Sequence, residues 1–307
     1  MSHNDNILTI NGLTKVFKTG VFRPQYTVAV KDVSFTLQSG SIVSLIGESG
    51  SGKTTIGKLI LKLIKPTAGQ IFYKGQDVVS LKDKQQLKQY YRKVQGVFQD
   101  PFATFNPLYR VDRIFDLIYE AFGFDSSDKD ARIAEVLREV NLDPERTLGK
   151  FPHQLSGGQL QRLLIARALL MDVEVLIADE IISMLDASTR IGVLNLLADL
   201  SHEKQLSILM ITHDLNLGYY ISDYTMIMYK GRLVEYGDTE KLYHNPIHPY
   251  TKMLLASVSD IGARWDLNQT FLPEHITTEV LQFYQQNQGL GYCEVEPEHC
   301  VLYSDVV

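Results

Sequence analysis

Eight residues at positions 47–54, which read GESGSGKT, constrain the fold of this chain more than any other segment. A short apolar run over 41–46 precedes them and predicts a buried strand. Apolar residues at helical spacing over 54–64 predict a helix directly afterwards. A glycine-rich loop between a strand and a helix can turn successive backbone N–H groups toward an anion at the positive end of the helix dipole. The segment therefore predicts a phosphate-binding loop, because a glycine-rich turn without a ligand would leave this context unexplained.

Two side chains at the end of this loop are expected to have different tasks. Lys53 is predicted to reach the β- and γ-phosphates of a bound nucleotide, and the Thr54 hydroxyl is predicted to ligate Mg²⁺. The other residues predicted to bind the nucleotide in this segment are Gly47, Ser49, Gly50, Ser51, Gly52 and Thr55.

Composition and charge exclude several classes of protein. With 307 residues, of which 45% are hydrophobic and 21% charged, the chain is typical of a globular protein with a core domain and a smaller one. Its net charge of −6 disfavours a nucleic-acid partner. No apolar run approaches the roughly 20 residues of a membrane span, and the N-terminus lacks a signal-peptide pattern. We therefore expect a cytoplasmic protein, and with only Cys293 and Cys300 present we expect no disulfide framework.

Hydrophobic patterning predicts an α/β fold. Alternating residues over 7–40 predict antiparallel strands, and residues 224–236 are typical of a β-hairpin. Two further short apolar runs, 70–73 and 94–98, predict additional strands. Helical stripes then replace strands over 101–170, which predicts an inserted helical subdomain. The stretch after residue 260 is polar and weakly periodic, so no fold is assigned to it.

An acidic pair follows one of the predicted buried strands. Asp179 comes directly after the apolar run 173–178, which is a Mg²⁺-binding position when a phosphate loop lies nearby. The adjacent Glu180 is a candidate general base that polarises an attacking water. Two acidic residues at a strand end often only begin a loop, but that interpretation does not explain the phosphate loop upstream.

Two more polar residues follow predicted strands. Gln99 is a candidate for orienting water or contacting Mg²⁺, although an isolated glutamine is usually only an exposed polar residue. His213 is a candidate hydrogen-bond donor to a γ-phosphate, and the alternative for it is a structural role.

Three segments are typical of helix starts. The triplet 126–128 is predicted to cap a helix, and Ser188 is predicted to cap another. The segment 155–159 reads LSGGQ and precedes a helix over 160–170. Ser156 with two following glycines favours either a second anion-binding nest or an N-cap with a tight turn.

One aromatic residue is a candidate for the nucleotide base. Phe17 lies between the two predicted strand regions of 7–40. Every base offers a π-face on which an aromatic ring can stack, and the alternative for Phe17 is a place in the core.

Taken together, these motifs resemble the ATPase subunits of ABC transporters. The match consists of a Walker A loop at 47–54, a Q-loop Gln99, the signature 155–159, a Walker B strand that ends in Asp179 and Glu180, and a switch His213. Their order and spacing fit the family over about residues 7–260.

This resemblance implies a P-loop ABC-type nucleotide-binding domain with a small antiparallel β subdomain and an inserted helical subdomain at about 101–170, followed by a C-terminal extension over 261–307. It implies ATP and Mg²⁺ as ligands, with Mg²⁺ held by Thr54, Gln99 and Asp179. It also implies a composite site, in which the signature of a partner chain closes over the γ-phosphate. The residues that it adds to the nucleotide site are Ser156, Gly157, Gly158, Gln159 and Asp186.

A narrower resemblance points to the oligopeptide, dipeptide and nickel importer branch. It rests on QDPF at 99–102 with Asn-Pro at 106–107, FPHQ at 151–154, and NPIHPYT at 245–251. The branch implies a subunit on the cytoplasmic face of the membrane that works with two permease subunits, a second identical or similar ATPase subunit, and an extracellular or periplasmic substrate-binding protein. Peptides are the first expected cargo, ahead of nickel or oligosaccharides.

The sequence departs from the family pattern in two places. Ile181, Ile182 and Met184 replace the usual residues of the turn that faces the partner ATPase, which affects the expected dimer contact but not the chemistry. Cys293 and Cys300 keep the spacing of two cysteines from an iron–sulfur segment of this branch, and Asn287 stands near the place of a missing third. Two thiolates cannot complete four-cysteine ligation, so a cluster is disfavoured and both thiols are predicted to be free.

The segment 100–109, DPFATFNPLY, gathers aromatic residues in a short loop. The resemblance implies that Phe102 and Phe105 surround a groove that receives a short helix of the permease, since aromatics are favoured interface anchors. The alternative buries both rings in the helical subdomain.

A second function from another class is a soluble ABC ATPase that acts on ribosomes or DNA. Such proteins usually carry two cassettes or a long coiled coil, and this sequence has neither. Its acidic balance also disfavours nucleic acid. A third is a catalytically inactive partner cassette, against which Glu180 and the intact signature argue.

Overall fold

The computed structural model describes residues 6–20, 23–257, 273–286 and 291–302. Its centre is an eight-stranded sheet in which five neighbouring strands run parallel and the strands toward one edge run antiparallel. In spatial order the strands are β11 (Tyr292–Glu296), β12 (His299–Leu302), β10 (Arg232–Asp238), β9 (Tyr224–Tyr229), β3 (Ile42–Ile46), β8 (Ser207–Thr212), β7 (Val175–Asp179) and β6 (Val94–Val97). Because the carboxyl ends of parallel strands share one edge, the polar residues that follow β3, β6, β7 and β8 are brought together.

A second, smaller sheet is entirely antiparallel, as the alternation over 7–40 predicts. Its four strands, in spatial order, are β2 (Gln25–Gln38), β1 (Asn6–Thr19), β4 (Ala68–Tyr73) and β5 (Gln76–Asp77). Leu8 pairs with Leu37 and Ile10 with Phe35, and all four side chains are buried. This face packs into the same core as β3 and the first helix, so the small sheet covers one side of the central one.

The helices fall into two groups along the chain. Those outside the predicted helical stretch are α1 (Lys53–Ile60), α2 (Lys84–Lys93), α8 (Ala187–Lys204), α9 (Leu215–Ile221), α10 (Thr239–His244), α11 (Pro249–Ser257) and α12 (Pro273–Gln286). The predicted helical stretch contains α3 (Pro101–Thr104), α4 (Arg113–Phe122), α5 (Lys129–Glu139), α6 (Pro144–Thr147), a 3₁₀ turn (Pro152–Gln154) and α7 (Gly157–Leu169).

One predicted helix cap is wrong, and another is right in position but makes no side-chain hydrogen bond. Asp186, not Ser188, is the N-cap of α8, and its Oδ1 accepts the Thr189 N–H at 3.0 Å. Asp128, within the predicted triplet 126–128, is at the N-cap position of α5, but its side chain accepts no capping hydrogen bond. Asp125 takes the local role instead, because its Oδ1 accepts the Ser127 N–H at 3.1 Å and closes the turn.

The two aromatic rings of the predicted groove have different environments. Phe105 is only 5% exposed and packs in the core formed by α4, α5 and α7, so the groove prediction is wrong for this ring. Phe102 is 50% exposed on α3 and is available to a partner. The two environments differ because α3 ends at Thr104 and Phe105 follows in an extended conformation, so the two rings do not share a helix face.

The C-terminal part adds strands to the central sheet, although the sequence assigned it no fold. β12 pairs antiparallel with β10, and β11 pairs with β12 at the edge of the sheet. The predicted boundary at residues 260–261 and the Asn287 position lie outside the described residues. Among the residues that are described, no helix is both long and apolar enough to cross a membrane.

Candidate nucleotide-binding site

A cavity of about 660 Å³ opens at the carboxyl edge of the parallel strands. Pockets for small molecules are commonly of about 300–1,000 Å³. Residues of the glycine loop and residues that follow β6, β7 and β8 line the same cavity. The sequence predicted this for the polar residues at the ends of those strands. The residues that line the cavity are Ala29, Gly47, Glu48, Ser49, Gly50, Gly52, Lys53, Thr54, Thr55, Gln99, Glu180, His213 and Leu254.

The loop before α1 needs glycine at two positions for steric reasons. Gly52 has φ +111°, and a Cβ there would lie 2.2 Å from the carbonyl oxygen of Ala29. A Cβ on Gly47 would lie 2.2 Å from the carbonyl oxygen of Met228. Because neither contact is possible for a real side chain, the backbone can pass this closely to its neighbours only as glycine.

The Lys53 side chain is 6% exposed and lies over the loop. Its Nζ donates to the carbonyl oxygens of Gly47 at 2.6 Å and Glu48 at 2.9 Å. Burial lowers the pKa of Lys53, whereas the nearby carboxylates of Glu180 and Asp179 raise it. A buried amine held by two carbonyls can transfer its hydrogen bonds to phosphate oxygens.

A buried hydroxyl in the loop also fits a phosphate group. Ser51 is 5% exposed, and within the described part of the chain its Oγ has no hydrogen-bond partner. A buried hydroxyl without a partner is costly, and a phosphate oxygen would accept its hydrogen bond. The loop residues therefore fit a nucleotide.

An oxygen pair beside the loop suits Mg²⁺. The Thr54 Oγ1 donates to Asp179 Oδ1 at 3.2 Å. Burial raises the pKa of Asp179, the Thr54 hydrogen bond lowers it, and the neighbouring Glu180 raises it. A hydroxyl and a carboxylate are the hard oxygen ligands that Mg²⁺ prefers, and a cation would relieve the cost of the buried charge. Gln99 lines the same cavity.

The acidic residue after Asp179 contacts the predicted switch residue. Glu180 Oε1 lies 2.8 Å from His213 Nδ1. The Glu180 backbone has φ +54°, and its N–H donates to the Ile211 carbonyl at 2.9 Å. This unusual backbone conformation directs the chain out of β7 next to the end of β8, so both side chains reach the cavity.

The signature residues do not line this cavity. Ser156 Oγ accepts the Gln159 N–H at 3.2 Å, and Gln159 Oε1 accepts the Ser156 N–H at 2.9 Å, which forms a capping box on α7. Gly158 packs on Thr189, where a Cβ would lie 2.3 Å from Thr189 Cγ2. Gly157 lies beside it and faces Leu185 and Phe102. One chain therefore does not bring the signature to its own phosphate loop.

Asp186 also does not line the cavity, and its carboxylate accepts hydrogen bonds from residues of its own helix. Its oxygens accept hydrogen bonds from the Ser188 and Thr189 hydroxyls at 2.6 and 2.7 Å. These bonds lower the pKa of Asp186 well below its ordinary value. The residue therefore begins α8 as an ionised cap.

Phe17 does not line the phosphate cavity either. Its ring is 38% exposed near the end of β1, and Lys15 Nζ lies 5.0 Å from the ring centroid. Across the pair of strands it faces Thr27, two residues before the cavity residue Ala29. Base stacking by Phe17 stays a prediction.

Two residues of α11 near the site were not predicted. Leu254 lines the cavity, and the Tyr250 hydroxyl accepts a hydrogen bond from the Glu48 N–H. The segment NPIHPYT had marked this region as a family feature, but it gave no indication of which element it would contact. Cys293 and Cys300 form no disulfide, and no group of three or more metal-binding residues occurs where the structure is described. That these thiols hold no iron–sulfur cluster stays a prediction.

Two family models match this chain. One, described as ABC transporter, matches residues 30–183, and the other, described as oligopeptide/dipeptide transporter, C-terminal region, matches residues 234–286. The chain is 38% identical over 304 residues to the oligopeptide transport ATP-binding protein OppF of Bacillus subtilis (strain 168), with 97% of this chain and 96% of OppF covered. It is 40% identical over 265 residues to AppF, an oligopeptide transport ATP-binding protein of the same organism, with coverages of 84% and 79%.

A solved structure gives the same class. The chain resembles the dimeric ATP-binding cassette MJ0796 in a post-hydrolysis state bound to ADP and Pi, with 28% identity, a TM-score of 0.67, and coverage of 76% of this chain and 98% of that one. The fold and site thus define an ATP-hydrolysing nucleotide-binding cassette. The chain belongs to the ABC transporter family. The predicted family and fold are confirmed, and the ribosome or DNA alternative is not supported.

Proposed function

We propose that this chain hydrolyses Mg-ATP at a site shared by two cassettes and thereby powers the import of peptides through a separate membrane permease. The observation that carries the proposal is the convergence of Lys53, Gln99, Glu180 and His213 on one cavity. These residues come from four separate parts of the chain. A bound nucleoside triphosphate with an attacking water would give each of them a role.

The site residues of one chain have different proposed roles. The backbone N–H groups of the loop and the Lys53 ammonium hold the phosphates. Thr54, Gln99 and Asp179 would hold Mg²⁺, which when bound neutralises developing phosphate charge. Glu180 accepts the proton of the attacking water, and His213, through its contact with Glu180, orients that carboxylate.

The other half of the site comes from a second cassette. The signature lies apart from the cavity of its own chain, and Ser156 presents its hydroxyl and the start of α7 at the surface. A helix N-terminus with a serine hydroxyl is suited to a γ-phosphate. The dimeric state of MJ0796 with ADP and Pi supports this arrangement. Site residues on the second cassette are Ser156, Gly157, Gly158 and Gln159, with Asp186 at the start of the adjacent helix.

Peptides are the proposed cargo because relatives with about 40% identity are named oligopeptide transport proteins and because the C-terminal family match has the same description. The partners in this proposal are two permease subunits, a second ATPase subunit and a substrate-binding protein outside the membrane. The chain would bind the permease from the cytoplasmic face of the membrane.

Reconstitution into proteoliposomes tests the proposal. The chain, the permease and the partner ATPase are assembled with ATP inside the vesicles, and uptake of a labelled oligopeptide with its binding protein is measured. Lys53→Ala should abolish uptake, whereas Lys84→Ala, at an exposed lysine that begins α2, should leave it near the wild-type rate. Full uptake with Lys53→Ala would contradict the nucleotide site, and ATP hydrolysis that no peptide stimulates would contradict the cargo.

A further inference from the structure

The phosphate loop has a hydrogen-bond partner more than 200 residues away. The Glu48 N–H donates to the Tyr250 hydroxyl oxygen at 3.0 Å, across a sequence separation of 202 residues. Tyr250 has no exposed surface. A buried phenol directed at a backbone N–H fixes the direction of that peptide bond.

The same peptide bond is also held on its carbonyl side, because the Gly47 carbonyl accepts the Lys53 ammonium at 2.6 Å. The carbonyl of the next peptide bond, that of Glu48, accepts the Ser51 N–H at 3.1 Å and the Lys53 ammonium at 2.9 Å. The Ser51 carbonyl in turn accepts the Gly231 N–H at 2.9 Å, from the turn between β9 and β10. The contact with Tyr250 therefore fixes the entry of the loop, and Gly231 fixes its middle. Neither contact uses the backbone N–H groups of residues 49–54.

The Tyr250 ring is itself held rigidly. The ring packs on the Tyr229 ring with centroids 4.3 Å apart. The backbone N–H of Tyr250 donates to His248 Nδ1 at 3.2 Å. Burial raises the pKa of the Tyr250 hydroxyl, which keeps the group neutral. The ring position thus depends on the turn at 247–248 that precedes α11.

That turn is fixed by a buried carboxylate. Glu235 on β10 accepts the Ile247 N–H at 2.9 Å and the His248 N–H at 3.0 Å. His299 Nε2 of β12 lies 2.8 Å from the same carboxylate, and both side chains are fully buried. A continuous series of contacts therefore connects the C-terminal strand to the phosphate loop through Glu235, His248 and Tyr250.

We propose that Tyr250 is a positioning residue that holds the peptide bond between Gly47 and Glu48, so that the rest of the loop and Lys53 are arranged for the nucleotide phosphates before binding. The C-terminal part of the chain thereby sets nucleotide affinity. This inference rests on the proposed nucleotide site. Loss of one such hydrogen bond should weaken ATP binding by about two- to tenfold, because part of the binding free energy is then needed to order the loop.

The test compares two phenylalanine variants that each remove one hydroxyl. Tyr250→Phe keeps the ring packing and removes the acceptor for Glu48. Tyr90→Phe is the matched control, because the buried Tyr90 hydroxyl donates to the Ile60 carbonyl at the far end of α1. The dissociation constant for mant-ATP, KM and kcat for ATP, and the melting temperature are measured for each full-length variant in its assembled complex.

Tyr250→Phe is expected to raise the dissociation constant and KM by about two- to tenfold with kcat near wild type, because saturating nucleotide orders the loop. Tyr90→Phe is expected to change only the melting temperature. A wild-type dissociation constant for Tyr250→Phe, or an equal rise for both variants, overturns the inference. Lys53→Ala separates the two proposals: if it binds mant-ATP normally, the proposed nucleotide site fails as well.

Discussion

Glu180 and His213 form a hydrogen bond of 2.8 Å between Oε1 and Nδ1, although they follow different strands. Glu180 is mostly buried, whereas the His213 side chain is 63% exposed at the mouth of the cavity. The pair joins the proposed general base to the residue that is predicted to donate a hydrogen bond to the γ-phosphate. The orientation of the base and the position of the switch histidine are therefore physically linked.

Removal of the histidine should slow hydrolysis without preventing nucleotide binding. His213→Ala deletes the partner that orients the Glu180 carboxylate, and a hydrogen bond to a charged group is worth about 1.5–3 kcal/mol. We expect kcat to fall about 10- to 100-fold with little change in the ATP dissociation constant. His202→Ala, an exposed histidine in α8, is the control. A kcat equal to that of this control would separate His213 from the reaction.

Phe17→Ala should weaken nucleotide binding if the ring stacks on adenine. The expected loss is about 1–3 kcal/mol of affinity, with hydrolysis at saturating ATP little changed. Equilibrium binding of mant-ATP measures it. Tyr26→Ala is the comparison, because Tyr26 is an exposed aromatic on the neighbouring strand and pairs with Lys18. Loss of affinity only with Tyr26→Ala would assign the stacking to that ring.

Phe105→Ala and Phe102→Ala should have opposite consequences. Phe105 is buried in the helical core, so its truncation should cost about 3–5 kcal/mol of stability. Phe102 is exposed, so its truncation should leave the melting temperature unchanged and weaken capture by the permease. Thermal unfolding and permease pull-down are measured together. Equal permease capture by Phe102→Ala and the wild type would remove this ring from the contact.

Protonation of His248 should destabilise the folded chain at acidic pH. Burial lowers the pKa of His248 from 6.5 to about 3. Between these values the unfolded chain binds a proton that the folded chain excludes, so stability falls as the pH falls below 6.5. From about pH 7.5 to about pH 5.5 the loss should be about 1.4 kcal/mol.

Urea denaturation at the two pH values measures this loss. His248→Asn is the comparison, because the amide oxygen can accept the Tyr250 N–H in place of Nδ1 but does not titrate. The wild type should lose about 1.4 kcal/mol more than the variant between the two pH values. An equal loss for both proteins would show that His248 does not exclude the proton.

The sequence allowed the position of a residue to be predicted where that position depends on local order along the chain. Lys53, Gln99, Glu180 and His213 each follow a strand or open a helix, and parallel strands bring their ends to one edge. Hydrophobic alternation likewise predicted the small antiparallel sheet. Both results depend on patterns that span only a few residues.

Contacts between distant segments were not predictable in this way. The pairing of β12 with β10 and the hydrogen bond between Tyr250 and Glu48 depend on how the C-terminal part packs on the sheet. The environments of Phe102 and Phe105 differ because α3 ends between them, at Thr104. Asp186 was not recognised as a cap because Ser188 and Asp186 are both favourable cap residues, and the side-chain geometry decides between them.

The proposed catalytic role of Glu180 is tested by the rate of phosphate release by Glu180→Gln in the assembled complex at saturating ATP. A general base contributes about 10²- to 10⁴-fold, which corresponds to about 3–5 kcal/mol of barrier. We expect a fall in rate of that size, with ATP still bound and the two cassettes held together. The control Glu203→Gln, an exposed residue of α8, should hydrolyse ATP at the wild-type rate. Near-normal phosphate release by Glu180→Gln would contradict the proposed catalytic site.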